Sequence, residues 1–300
     1  MSPESTSPHG IEDVRAHLGK LPKGQSIAER RAMYDRAERV FTLPADTAVE
    51  QVSIGPLRGD WIRPAGARTD AAVVYLHGGG YVIGSPRSHR HLAEAVARAA
   101  GISCLLPDYR LAPEHPFPAA VDDAFAAYRW LVEDKMIAPG RIAIAGDSAG
   151  GGLTVATLLA IRDAQLASPG AGVCISAWTD LTCSAASYQT KAATDPMVVQ
   201  ANVSEMARAY LGPADPRTPL ASPIFADLRG LPPLLIHVGS EEVLLDDSQA
   251  LADRARAAGV PVELEVWTPM IHVWHWFLPW LDEAESAIAK IGSFLRSHLK

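Results

Sequence analysis

A serine at position 148 lies at the centre of the pattern Gly-x-Ser-x-Gly, in the segment Gly146-Asp-Ser-Ala-Gly150. A serine hydroxyl can attack an acyl carbonyl when a neighbouring base takes its proton. The flanking glycines leave room for a sharp turn from a strand into a helix, which exposes the hydroxyl. An apolar run precedes the pattern and a helix-like run, residues 153–161, follows it. Neither a dinucleotide-binding nor a P-loop glycine pattern is present. The sequence therefore predicts Ser148 as a nucleophile.

Three consecutive glycines follow an earlier apolar run, in the segment His77-Gly-Gly-Gly80. Glycine is costly to order, so such a run predicts a loop whose backbone must approach another group closely. In acyl transfer that group is the oxyanion, which backbone N–H groups stabilise together with the N–H after the nucleophile. We predict that the amides of Gly78, Gly79 and Ala149 form this oxyanion hole and that His77 anchors the loop.

Candidates for the acid and the base lie further along the chain. In an α/β fold with this turn, the order along the chain is serine, then carboxylate, then histidine. Segment 238–247 follows an apolar run and offers four carboxylates, at Glu241, Glu242, Asp246 and Asp247. His272 follows the last predicted strand, residues 262–267, and His275 comes three residues later. The residues alone therefore predict that one of these carboxylates orients one of these imidazoles, which activates the serine.

Short apolar runs alternate with helix-like segments from about residue 73 onward. Five of these runs read as strands buried on both faces of a parallel sheet, at residues 71–76, 102–106, 141–145, 172–176 and 234–238. Residues 51–63, with turn signals at Gly55-Pro56 and Gly59-Asp60, predict an antiparallel start to that sheet. Strand–helix alternation predicts an α/β fold with a doubly wound sheet.

Two stretches break this alternation. Residues 25–41 predict one amphipathic helix ahead of any strand, and residues 181–215 hold a helical stretch at 199–211 between two predicted strands. We expect both stretches to pack together as a cap over the carboxyl ends of the strands. Met1–Gly24 is rich in Ser, Pro, Gly and charged residues and is predicted to be disordered. The predicted organisation is an N-terminal cap segment (1–45), a second cap segment (181–215) and a catalytic domain (46–180 and 216–300).

Composition and charge argue against several classes of protein. The formal net charge is −7 and no run of Lys or Arg is present, so we predict no nucleic-acid partner. No stretch reaches the ~18 apolar residues of a membrane span, and the start lacks the profile of a signal peptide, so we predict no stable membrane insertion. The three cysteines are widely spaced and form no metal-ligand cluster. They predict reduced thiols in a cytoplasmic protein without a metal site.

Together the motifs resemble those of the bacterial hormone-sensitive-lipase-like (family IV) esterases. The resemblance rests on these segments, in this order: His77-Gly-Gly-Gly-Tyr81, Asp108–Pro118, Gly146-Asp-Ser-Ala-Gly-Gly151, Leu231-Pro-Pro233 and Ile271-His272. It implies an α/β-hydrolase core with a mostly parallel eight-stranded sheet, flanking helices and a helical cap. It also implies hydrolysis of short- to medium-chain acyl esters without a cofactor, with dimerisation through the last strand.

The resemblance also selects among the candidate acids and bases. The family pattern Asp-x-Leu-x-Asp is filled here by Glu242-Val-Leu-Leu-Asp246, so a glutamate stands where the family has its catalytic aspartate. Glu242 is therefore the predicted acid. Asp246 is the alternative acid, and its competing role is to cap a helix that starts at Ser248. The family's histidine matches His272, whereas His275 is predicted to pack with Trp274 and Trp276.

Substrate contacts are predicted for Tyr81, Trp178, Met197, Met206 and Tyr210. Structural roles are predicted for Asp147, as a hydrogen-bonding brace, and for a charge network of Tyr109, Arg110 and Glu114. The predicted partner is a small-molecule ester, hydrolysed through Ser148, Glu242 and His272. Two alternatives remain: an amidase or deacetylase with the same three residues, and a receptor on the same fold that binds its ligand without turnover.

Overall fold

A computed structural model describes residues 10–21 and 26–300, in which eight strands form a single sheet. The strands are β1 (Ala48–Ile54), β2 (Leu57–Arg63), β3 (Arg68–Leu76), β4 (Ile102–Pro107), β5 (Ile142–Asp147), β6 (Ala171–Ile175), β7 (Leu234–Gly239) and β8 (Val262–Trp267). Their order in the sheet is β1-β2-β4-β3-β5-β6-β7-β8. Strand β2 pairs antiparallel with both of its neighbours, and all other pairs are parallel. The predicted α/β-hydrolase fold is confirmed.

The central strands are mostly apolar where helices cover both faces of the sheet. In β3, Val73 and Tyr75 belong to one buried cluster and Val74 and Leu76 to the other, as the alternation of side chains along a strand requires. The helices are α1 (Ile11–Leu18), α2 (Ile27–Asp35), α3 (Ala37–Val40), α4 (Pro86–Ala100), α5 (Ala119–Glu133), α6 (Ala149–Asp163), α7 (Ser187–Thr190), α8 (Gln200–Leu211), α9 (Leu245–Ala257) and α10 (Asp282–His298). Helices α4 and α10 cover one face of the sheet, and α5, α6 and α9 cover the other.

Three expectations about local structure are wrong. Gly59-Asp60 is not a turn but lies within β2, where a side chain on Gly59 would approach the backbone of β4 to 3.0 Å. Residues 25–41 do not form one helix, because α2 ends at Asp35 and a separate short helix follows. Met1–Gly24 is not disordered throughout, since it contains α1; residues 1–9 and 22–25 lie outside the described part of the chain.

Hydrogen bonds join the N-terminal cap segment to the rest of the molecule. Arg15 in α1 donates to Thr194 O at 2.6 Å, so the two cap segments contact each other. Arg31 in α2 donates to Val82 O at 2.8 Å, just after the glycine run, and forms a two-point ion pair with Glu114. Helix α2 therefore lies beside the loop predicted to form the oxyanion hole, and α1 lies beside the second cap segment.

Cys104, Cys174 and Cys183 are all buried and unpaired, as expected for reduced thiols. Across residues 10–21 and 26–300, no helix is both long enough and apolar enough to cross a bilayer.

Candidate active site

The turn at Ser148 joins β5 to α6 in a strained conformation. Its φ of 54° and ψ of −120° lie where residues other than glycine are rarely found. A Cβ on Gly146 would lie 2.3 Å from Gly150 O, and a Cβ on Gly150 would lie 1.9 Å from Leu76 O. Only glycine fits at both positions, so the chain reverses tightly and presents the serine. Ser148 N donates to Ile175 O at 2.8 Å, which ties the turn to the neighbouring strand.

Loops after β7 and β8 bring a carboxylate and an imidazole to this serine. His272 Nε2 lies 3.0 Å from Ser148 Oγ, within hydrogen-bonding distance. His272 Nδ1 lies 3.5 Å from Glu242 Oε2. Both side chains are buried. The three residues meet because the carboxyl ends of β5, β7 and β8 lie at the same edge of a parallel sheet.

Ser176, which follows β6, connects the acid to the base loop. Its hydroxyl donates to Glu242 Oε2 at 2.8 Å and accepts from Val273 N at 3.0 Å. It therefore holds the carboxylate in line with the loop that carries His272. No sequence motif singles out this serine. Its one available signal was its position at the carboxyl end of a predicted strand.

The electrostatics of the site favour a protonated His272. Burial opposes the charged imidazolium, but the hydrogen bond and charge of Glu242 outweigh burial, and the pKa of His272 is raised above its ordinary value. The charges of Asp195 and Asp147 act in the same direction. An imidazole in this environment is a stronger base towards the serine proton than a free one.

The other candidate carboxylates have different partners. Asp246 Oδ2 accepts from Ser187 N at 2.8 Å in the second cap segment. Helix α9 begins at Leu245, so Asp246 lies within its first turn and does not cap a helix starting at Ser248. Asp247 Oδ2 accepts from the backbone amides that follow Trp178, at 3.0 Å each. Glu242 is the one of the four with a recorded contact to His272 among the described residues.

His275 lies away from the serine, in a buried pair with His237. The two rings are joined by a contact of 3.1 Å between His275 Nε2 and His237 Nδ1. His275 packs against Trp274 as predicted, with ring centroids 3.9 Å apart. Its predicted contact with Trp276 is wrong, because that indole packs against Phe41 and other rings instead.

The amides facing the serine are not quite those predicted. Gly79 and Gly80 line the same cavity as Ser148, and neither their N–H groups nor that of Ala149 has an acceptor in the described part of the chain. The Gly78 amide is already used, since it donates to Asp147 Oδ1 at 3.2 Å. The expected role of Gly78 is therefore corrected: it belongs to the support of the loop, and Gly80 takes its place at the cavity.

A buried polar network fixes the glycine loop from below. Asp147 also accepts from Tyr75 Oη at 3.0 Å, and its second oxygen lies 3.5 Å from His89 Nε2. His77 stacks on Tyr109, with centroids 4.1 Å apart, and the Tyr109 hydroxyl donates to His77 O at 2.6 Å. Burial lowers the pKa of His77 to about 3, so its ring is neutral. The Asp147 brace and the His77 anchor thus have the geometry that the sequence predicted for them.

The expected charge network of Tyr109, Arg110 and Glu114 is not a single network. Arg110 pairs with Asp123 of α5 through both its backbone amide and its guanidinium group, whereas Glu114 pairs with Arg31 of the N-terminal cap segment.

A cavity of about 680 Å³ opens over the serine. Both cap segments contribute to its wall, with Met33 among the residues of the first and Met197 and Met206 among those of the second, while Trp178 lines it from the end of β6. Tyr81 and Tyr210 are not brought to the cavity. They are buried against each other as parallel stacked rings 3.8 Å apart.

Comparisons with known proteins identify the family. Residues 73–276 match the family described as alpha/beta hydrolase fold. The chain is 51% identical over 272 residues to an acetyl-hydrolase of Streptomyces hygroscopicus, covering 90% of each chain. It is 33% identical over 271 residues to an esterase of Acinetobacter venetianus, covering 89% of this chain and 88% of that one.

Solved structures agree. An esterase from the bacterial hormone-sensitive lipase family superposes with a TM-score of 0.93 at 47% identity, covering 96% of this chain and 98% of that one. The esterase EstE5, in crystals soaked with p-nitrophenyl butyrate, gives a TM-score of 0.92 at 46% identity with the same coverage. The chain therefore belongs to the hormone-sensitive-lipase-like (family IV) esterases of the alpha/beta hydrolase superfamily, and it is a carboxylesterase.

Proposed function

We propose that this esterase works through a triad of Ser148, Glu242 and His272. The observation that carries the proposal is the distance of 3.0 Å between His272 Nε2 and Ser148 Oγ, which allows direct proton transfer. Glu242, on the other side of the ring, holds the imidazole in the tautomer that accepts this proton and stabilises the imidazolium.

The reaction then has two steps. Ser148 Oγ attacks the ester carbonyl as His272 takes its proton, and the oxyanion is bound by the amides of Gly79, Gly80 and Ala149. The C–O bond to the alcohol breaks as His272 donates the proton to the leaving oxygen, which leaves an acyl-enzyme. Water, activated by the same imidazole, attacks the acyl carbonyl, and the acid is released with regeneration of the serine. Besides the ester and one water molecule, these steps use only groups of this chain.

A covalent probe tests the nucleophile. An aryl phosphonate should label the protein once, and mass spectrometry of the digest should place the label on Ser148. A Ser148→Ala variant should take up no label and lose esterase activity. Labelling of another residue, or activity retained in the variant, would refute the proposal.

We further propose acyl esters of short to medium length as substrates, with Trp178, Met197 and Met206 in contact with the substrate. The volume and partly apolar wall of the cavity support a ligand of that size. A kcat/KM profile over p-nitrophenyl esters from acetate to laurate should peak below laurate. Larger residues at Met206 should shift the profile towards acetate, and a flat response to that change would contradict the assignment.

The name of one relative, acetyl-hydrolase, keeps a second reaction open. The same triad cleaves activated amides, so the second candidate is removal of an acetyl group from nitrogen. A matched pair of substrates, p-nitrophenyl acetate and p-nitroacetanilide, separates the two. We expect the ester to be the better substrate by kcat/KM.

Three further parts of the proposal concern the domain organisation, the oligomeric state and the location of the protein. The catalytic domain (46–180 and 216–300) is covered by the N-terminal (1–45) and second (181–215) cap segments, which the shared cavity wall supports. The protein is a homodimer through β8, which lies at the edge of the sheet with Val266 exposed. The molar mass in solution, measured by light scattering, would test the proposed dimer. A cytoplasmic location is supported by the three buried free thiols.

A further inference from the structure

The loop that carries Glu242 is held by the second cap segment rather than by the catalytic domain alone. Ser187 Oγ donates to Val243 O at 2.5 Å, and Ser187 N donates to Asp246 Oδ2 at 2.8 Å. Thr194 Oγ1 lies 3.4 Å from Glu241 O. Residues on both sides of the triad acid are therefore contacted by one stretch of the cap, residues 187–195.

Asp195 makes the most direct of these contacts. Its side chain is 6% exposed and lines the cavity over the serine. One oxygen accepts from Met197 N and Val198 N, at 2.9 Å each, and the other accepts from Val243 N at 2.9 Å. Val243 directly follows the triad acid. Among residues 10–21 and 26–300, the hydrogen bonds to this carboxylate all come from backbone amides, and no Lys, Arg or His forms an ion pair with it.

Asp215, at the end of the same cap segment, forms a similar turn and serves as a comparison for Asp195. Asp215, like Asp195, precedes a proline and accepts from the amide two residues later, Arg217 N, at 2.7 Å. It is exposed and has no recorded contact with the catalytic loop in the described structure. The bond from Val243 N to the second oxygen of Asp195 is therefore additional to the turn. Burying a carboxylate is costly unless amides compensate it, and such charge-assisted bonds are stronger than neutral ones.

We propose that Asp195 is a positioning residue for ester hydrolysis: by holding Val243 N, it sets the position of Glu242 towards His272 and makes the triad depend on the docked cap. This inference rests on the triad proposed above. The carboxylate does not touch the reacting atoms and acts through the loop. The same contact makes the second cap segment part of the catalytic machinery as well as of the cavity wall.

The charge of Asp195 gives the role a readout of its own. The charged groups that act on His272 are Glu242 after β7, Asp195 in the cap and Asp147 at the end of β5, and all three favour the imidazolium. Removing the charge of Asp195, and loosening Glu242 with it, both lower the pKa of His272. The acid limb of the pH profile of kcat/KM should then move to lower pH.

The test compares Asp195→Asn with Asp215→Asn. Active sites are counted with the aryl phosphonate, so that a misfolded fraction does not enter kcat, and p-nitrophenyl butyrate is the substrate. We expect Asp195→Asn to lower kcat about tenfold to hundredfold, by analogy with the loss of an outer hydrogen-bond partner at metal sites, with KM close to the parent value. Its acid limb should shift to lower pH. Asp215→Asn should match the parent in all three.

Asp195→Ser is a second variant, chosen to keep the local turn folded. Its hydroxyl can still accept from the amides of the turn but is too short to reach Val243 N, so it should reproduce the Asn phenotype. A parent-like kcat per titrated site in either variant, or a lower kcat with an unmoved acid limb, would overturn the proposal. Both results would leave Ser148 labelled by the phosphonate, so they are distinguishable from failure of the proposed triad.

Discussion

Replacing Glu242 with glutamine removes the charge of the proposed triad acid while nearly preserving its shape. When His272 takes the serine proton, an imidazolium forms with its Nδ1 3.5 Å from Glu242 Oε2. With an effective dielectric constant of about 20, two unit charges at that distance attract by about 5 kcal/mol. Both side chains are buried, so screening by solvent and salt is slight. The glutamine variant loses this attraction in the transition state.

Since about 1.4 kcal/mol corresponds to a factor of ten in rate, kcat/KM should fall about 10³- to 10⁴-fold. The assay is hydrolysis of p-nitrophenyl butyrate, with circular dichroism as a check that the variant is folded. The acid limb of any residual activity should lie at lower pH, because Glu242 raises the pKa of the imidazole of His272. In the parent this limb should lie above the ordinary pKa of histidine, and activity should be lost as pH falls through it.

Asp246→Asn is the matched control, since it neutralises the competing candidate acid four residues away. Its amide oxygen can still accept from Ser187 N, so the cap contact remains. We expect near-parent kcat/KM. A loss of 10³-fold or more in this variant, of the size estimated above, together with near-parent activity in Glu242→Gln, would refute the assignment of the acid.

Three further predictions follow from single contacts. Gly150→Ala should destabilise the fold by at least about 3 kcal/mol in chemical denaturation, because its Cβ meets a backbone carbonyl at 1.9 Å, whereas Gly140→Ala, with open space around it, should not. Ser176→Ala should lower kcat about tenfold to hundredfold at unchanged KM, because Glu242 loses its bridging donor; a parent-like kcat would count against that bridge. Burial lowers the pKa of His237 from 6.5 to about 4. Between these two pH values the unfolded chain binds more protons than the folded one, so the free energy of unfolding should fall as pH decreases from 6.5 to about 4. A His237→Gln variant should show a shallower fall, and an equally steep one would contradict this.

Local steric rules made the fold and the nucleophile predictable. Strands buried on both faces must be apolar throughout, and the turn at Ser148 must have glycine two residues to either side. Both constraints act over a few residues and therefore appear directly in the sequence. The position of His272 followed from chain order, because the carboxyl ends of β5 and β8 meet at one edge of the sheet.

The choice of glycine amides that form the oxyanion hole could not be predicted in this way. Which two of three adjacent glycine amides face the cavity depends on backbone angles, here φ of 114° at Gly79 and 62° at Gly80. All three residues are identical in the sequence, so nothing distinguishes them. The amide of Gly78 is removed from consideration only by Asp147, which lies 69 positions away along the chain.

The contacts that hold the acid are also long-range. Ser176 and Asp195 lie 66 and 48 positions from the loop residues they bond. Serine at a strand end and Asp-Pro in a cap are common, and neither pattern predicts a partner. For Tyr81 and Tyr210 the prediction failed in the opposite way. Both were expected to contact the substrate, but their rings stack on each other instead.

Nucleophile and acid are therefore positioned by different means. Ser148 is fixed because Gly146 and Gly150 pack closely against backbone atoms, where no larger residue fits. This packing does not involve the cap. Glu242 is fixed by polar contacts from Ser176 and, through Val243, from Asp195 in the second cap segment. A change of sequence in the cap can thus alter the cavity and the strength of the general base together, without disturbing the serine. Substrate range and pH dependence should therefore vary together among cap variants, while the final stoichiometry of serine labelling by a small phosphonate stays at one per chain.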